Sequence, residues 1–90
     1  MTTPTDWTNN GDRITRQFTF HDFTQAMAYM VEISFYCEKK NHHPEWKNIY
    51  NKLWVELTTH DAGGVTEKDM RLAQHMGDVF ARYAKGTGQA

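Results

Sequence analysis

The chain is poor in cysteine, in long apolar runs and in excess charge of either sign. Cys37 is the single cysteine of 90 residues, so no disulfide within the chain can staple the fold. A lone thiol suits a reducing compartment. No stretch approaches the ~18 apolar residues of a membrane span, and the first twenty residues hold no apolar run flanked by basic residues, so no secretory leader is expected. Ten Lys and Arg stand against eleven Asp and Glu. That balance lacks the basic excess with which nucleic-acid binders displace counterions from phosphates. The pair Lys39-Lys40 is too short for a polybasic patch. No phosphate-cradling glycine motif is present either; Gly63-Gly64 reads as turn punctuation. These absences leave a soluble, cytoplasmic protein with no expected contact to membrane or nucleic acid.

What remains is a single domain over residues 1–90, with flexible ends expected at 1–11 and 85–90. A chain of this length buries a thin core, and oligomerisation is one common remedy. Twelve Phe, Trp and Tyr and five His are a high ring content for such a chain. They fit either an aromatic core or a stacking surface for a flat ligand.

Alternation over Arg13–Phe20 sets Ile14, Phe18 and Phe20 on one face, interrupted by Arg16, and predicts a half-buried strand. Asp22 is placed to cap a helix. Phe23, Ala26, Met27, Met30, Ile33, Ser34 and Cys37 then recur at spacings of three and four. Tyr29, Val31, Phe35 and Tyr36 lie off that stripe, so the helix is apolar on more than one side and invites a helix-mediated oligomer. Pro44 pushes His43 extended. Trp46–Tyr50 and Leu53–Thr59 read as a hairpin joined at Asn51-Lys52. Thr66-Glu67-Lys68-Asp69 resembles a capping box, opening a second helix with Leu72, Ala73, Met76, Val79, Phe80 and Tyr83 on one side. The order is strand, helix, strand, strand, helix: an α+β domain with an antiparallel sheet and helices packed on one face.

Antiparallel pairing of the hairpin sets its start beside its end. His42 and His43, just before it, therefore converge with His60, just after it. Three readings follow. Histidine titrates near neutrality and can give or take a proton, which suits acid–base catalysis. Three histidines also form the ligand set of some zinc centres, although neighbours in an extended stretch point to opposite sides, which opposes a metal shared by His42 and His43. The third reading is plain capping of strand and helix ends. Cys37, on the apolar stripe, reads as an inert buried thiol.

The series Glu38, three residues, His42-His43-Pro44, five residues, Tyr50, nine residues, His60, eight residues, Asp69 resembles the pterin-4a-carbinolamine dehydratase family, also called the dimerisation cofactor family. Glu45-Trp46, Asn48, Tyr50-Asn51-Lys52 and Thr59-His60 add to the likeness, which covers about residues 7–83. The resemblance implies dehydration of 4a-hydroxytetrahydrobiopterin to quinonoid dihydropterin, in tetrahydrobiopterin recycling, with no cofactor and no metal. It implies a pterin site built from Asn41, His42 and His43 on one side and Thr58, Thr59 and His60 on the other. His42 and His60 would act as acids toward the departing hydroxyl. His43 would bind substrate and share in base catalysis, with Glu38 and Asp69 in support and Trp46 lining the ring's pocket. Homodimers or homotetramers are implied as well. Some family members stabilise dimers of a homeodomain transcription factor, so an interaction module is the second reading. The additional N-terminal helix of many members is missing from the pattern here.

Overall fold

A computed structural model describes the backbone of residues 2–88 and the side chains through Ala84. The alternation that begins at Arg13 becomes a strand, Ile14–Thr19, and the elements follow in the order β1 (Thr8–Asn9), β2 (Ile14–Thr19), α1 (Phe23–Lys40), β3 (Glu45–Ile49), β4 (Lys52–Leu57), a 3-10 turn (His60–Ala62) and α2 (Glu67–Gly88). The four strands form one antiparallel sheet in the order β1-β2-β4-β3. The expected order therefore gains a two-residue strand at its start. Thr8 and Asn9 are polar and too few to show a period, so hydrophobic patterning could not announce them. Beside them Trp7 is buried and meets Phe18 edge-on at 6.0 Å.

Register fixes which residues share a face. Ile14 pairs with Leu57, Arg16 with Val55 and Phe18 with Leu53, while Trp46 pairs with Val55. Ile14, Phe18, Leu53, Val55 and Leu57 are buried against the helices. Arg16 interrupts this face as the pattern indicates, and its guanidinium lies over the Phe18 ring at 4.4 Å. Burial lowers its pKa, with Asp6 opposing that shift.

Helix α1 starts where Asp22 accepts a hydrogen bond from the Gln25 amide (2.8 Å) and ends at Asn41 in the left-handed conformation (φ 51°). Its buried face differs from the expected stripe. Ala26, Tyr29, Ile33 and Cys37 are buried, whereas Phe23, Met27 and Ser34 are exposed. Tyr29 can be fully buried because its hydroxyl donates to the Met76 carbonyl at 2.7 Å, so no polar atom is stranded. Phe23, Met27, Val31 and Phe35 then form an exposed apolar line at intervals of four.

Helix α2 buries Leu72, Ala73, Met76 and Val79 as expected, with Phe80 and Tyr83 partly buried against the core. The tail expected to fray spans residues 85–90. The α2 backbone continues to Gly88, and residues 89 and 90 lie outside the described residues. Cys37 is buried, and burial pushes its thiol up to about 11. A raised thiol pKa favours the native state at neutral pH, and that contribution is lost as pH rises through about 11. Alkylation of the native protein by iodoacetamide at pH 8 should therefore be much slower than in denaturant, measured by mass spectrometry. Equal rates would contradict the buried thiol.

Candidate active site

Two turns and one strand boundary position the candidate residues. The left-handed Asn41 ends α1 and redirects the chain, and the His42 amide donates to the Cys37 carbonyl at 3.0 Å. This Schellman-like closure leaves His42 and His43 between α1 and β3. Glu45 pairs with Glu56, so the start of β3 lies beside the end of β4, the juxtaposition that the hairpin topology demands. Past β4, Thr59 bridges to Gly64 around the 3-10 turn that carries His60, and Gly63 takes the left-handed conformation there (φ 71°).

Asp69 is the hub of the site. It is fully buried, yet each carboxylate oxygen is satisfied. Oδ1 accepts from His42 Nε2 at 2.6 Å; Oδ2 accepts from Thr59 Oγ1 at 2.7 Å and from the Thr66 amide at 2.9 Å. Three donors replace the water that a buried carboxylate gives up, where an unpaired one would be prohibitively costly. The Thr59 proton is committed to Asp69, so Thr66 Oγ1 donates to Thr59 Oγ1 across 2.8 Å. The capping box is thus half formed: Asp69 reaches back to the cap amide, while the Thr66 hydroxyl turns to Thr59. One carboxylate ties together the end of α1, the end of β4 and the start of α2.

This network fixes the tautomer of His42. With Nε2 donating to Asp69, Nδ1 carries the lone pair of the neutral ring or the second proton of the charged one. The His42 side chain is 11% exposed. His43 Nε2 donates to Glu38 Oε1 at 2.9 Å, and His43 is 55% exposed. His60 is 83% exposed, with Nε2 at 3.8 Å from Glu45 Oε1, an approach too long for a hydrogen bond. His42 and His43 thus engage different carboxylates, and among the described residues no three His, Cys, Asp or Glu side chains are arranged to hold a metal ion.

The other candidates fall into place unevenly. Asn41 contributes the turn itself. The Thr58 hydroxyl donates to the Asp12 carbonyl at 2.7 Å, a contact that ties β4 to the loop before β2. Trp46 is half-buried on the helix-facing side of the edge strand β3. Sequence reasoning did not foresee the Thr66 hydroxyl or the placement of Glu45 beside His60. Register accounts for part of the latter: Glu45 pairs with Glu56 near the end of β4, and the 3-10 turn that carries His60 follows soon after.

Comparison with known proteins agrees on one family. Residues 1–79 match the family model described as pterin 4 alpha carbinolamine dehydratase. A protein of Nitrobacter winogradskyi, provisionally named pterin-4-alpha-carbinolamine dehydratase, is 52% identical over 75 residues, covering 83% of this chain and 73% of that one. A Prochlorococcus marinus protein with the same provisional name is 40% identical over 76 residues, covering 84% and 79%. A crystal structure of a Brucella melitensis protein described as a transcriptional coactivator/pterin dehydratase superposes with a TM-score of 0.80 at 43% identity, covering 83% of this chain and 82% of that one.

Proposed function

The chain belongs to the pterin-4-alpha-carbinolamine dehydratase family, and from that premise we propose that it dehydrates 4a-hydroxytetrahydropterins through His42, His43 and His60. The observation that carries this reading is the Asp69 network, which locks the tautomer of one histidine and ties it to the strand end that bears another. Dehydration breaks the bond between C4a and its hydroxyl oxygen. The leaving oxygen takes one proton, the adjacent ring nitrogen loses one, and a carbon–nitrogen double bond forms, giving quinonoid dihydropterin and water. Nitrogen's lone pair assists the departure, so positioned proton donors and acceptors supply enough catalysis without metal or cofactor. Each is worth ~10²–10⁴-fold.

In this mechanism His42, through Nδ1, and His60 protonate the leaving hydroxyl. His43, steadied by Glu38, binds the ring and takes the nitrogen's proton. Asn41, Thr58 and Thr59 shape the walls, with Trp46 beside the ring and Asp69 in support. The setting is recycling of the tetrahydrobiopterin that aromatic hydroxylases release in its 4a-hydroxylated form, in the cytoplasm. The test follows absorbance as synthetic 4a-hydroxytetrahydropterin loses water. Acceleration above the spontaneous rate supports the reading, and its absence removes it.

A homo-oligomer completes the proposal, because the α1 line of Phe23, Met27, Val31 and Phe35 leaves Phe35 72% exposed, and such a line gains by being covered. Phe35→Asp should lower the mass measured by light scattering relative to wild type. A monomeric wild type would contradict this. The second reading, an interaction module serving a transcription factor, draws on the coactivator named for the Brucella relative and on the same exposed face.

A further inference from the structure

Among the described residues, positive charge is mostly paired or dispersed, with one exception. Arg13, Arg16 and Arg82 form ion pairs with acidic side chains. Lys40, Lys68 and Arg71 form none among the described residues, yet together with Tyr36 and His42 they line one recess of about 130 Å³. No carboxylate lines that recess. Asp69, which touches His42, has both oxygens committed to His42, Thr59 and the Thr66 amide. On a chain of net charge −1, three unopposed cations around one hollow are not a by-product of general basicity.

Helix electrostatics does not account for the cluster. Lys40 sits in the last turn of α1, where a cation is favoured, but Lys68 lies in the first turn of α2, where the helix field disfavours one. Tyr36 is held by a parallel stack on His75 (4.1 Å between centroids, 14° between planes), which gives the recess a fixed wall. Its volume is well below the roughly 300–1,000 Å³ of pockets that enclose a whole small molecule. A compact anion suits a hollow of that size.

We propose that this recess is a phosphate subsite, occupied by the phosphate-ended side chain of a pterin whose ring lies at the adjoining histidines. Arg71 supplies the forked donor suited to phosphate oxygens, and the two lysines supply point charges. A phosphate monoester carries close to two negative charges at neutral pH, which the three cations more than offset. The inference rests on the dehydratase reading for the identity of the ring and not for the anion.

Two measurements separate these elements. Inorganic phosphate titrated into the whole protein at fixed ionic strength should give saturable NMR shifts centred on His42 and Arg71. Lys40→Ala/Arg71→Ala, which alters only exposed side chains, should weaken that binding roughly 10- to 100-fold, the effect of losing charged hydrogen bonds. In kinetics, a 4a-hydroxytetrahydropterin with a phosphate-ended side chain should show a lower KM than one with a neutral side chain. The double variant should erase that advantage and leave turnover of the neutral substrate unchanged. Absence of saturable phosphate shifts, or shifts equal in wild type and variant, would overturn the subsite. Phosphate binding with no KM advantage would overturn the side-chain assignment and mark a site for the free anion. Failure to turn over the neutral substrate would strike the dehydratase reading alone, since the phosphate titration decides the recess without it.

Discussion

Asp69→Ala should destabilise the protein by about 3 kcal/mol or more and also abolish most turnover. Asp69 is fully buried and receives three hydrogen bonds. Truncation strands His42 Nε2 and the Thr66 amide and leaves Thr59 Oγ1 with Thr66 Oγ1 as its partner, and each buried donor without a partner costs about 1–3 kcal/mol. The contributions are coupled through one side chain and do not simply add. For a domain of this size a loss of about 3 kcal/mol lowers Tm by more than roughly 12 °C, which circular dichroism would record. Asp69→Asn keeps the shape and one acceptor oxygen, so it should fall between wild type and alanine. A Tm within about 2 °C of wild type for the alanine variant would contradict the role of this carboxylate as the joint between α1, β4 and α2.

His43→Ala should behave oppositely, with stability almost untouched and turnover lowered by about 10²–10⁴-fold. Its side chain is 55% exposed and bonds only to Glu38, itself at the surface, so truncation should change stability by no more than about 0.5 kcal/mol. If His43 both binds the ring and takes its proton, KM rises while kcat falls. Glu38→Gln should produce a milder form of the same change, because it removes the charge that orients the imidazole and leaves the imidazole in place. Steady-state dehydration kinetics on both variants, with urea denaturation as the control for folding, checks this. Unchanged kinetics for His43→Ala would remove it from the mechanism.

The contrast between these variants reflects what was legible in the sequence. Period-two alternation announced β2 and β4, Asp22 announced the start of α1, and the His43-Pro44 pair marked where it had to stop. Antiparallel pairing of β3 with β4 then set the start of the hairpin beside its end, Glu45 opposite Glu56. The core face of α1 was not legible, because apolar residues surround that helix. Tyr29 enters the core only through a hydroxyl contact with Met76, 47 residues away in sequence, and Phe23 and Met27 are correspondingly left outside. Strand β1 escaped because two polar residues carry no period. The same holds for Thr66. A capping pattern predicts that its hydroxyl serves its own helix, whereas tertiary proximity offers Thr59 instead. Local rules see neighbours in sequence, and these contacts depend on neighbours in space.

Catalysis by the histidines is decided by one comparison: dehydration of a synthetic 4a-hydroxytetrahydropterin, followed by absorbance with wild type and His60→Ala in parallel. His60 is 83% exposed and makes no hydrogen bond through its ring among the described residues, so its loss leaves the fold intact and isolates its chemistry. Wild type should accelerate the reaction well above the spontaneous rate, and His60→Ala should lose most of that acceleration while melting at the same temperature. Equal acceleration by the two proteins, or none by wild type, would contradict it.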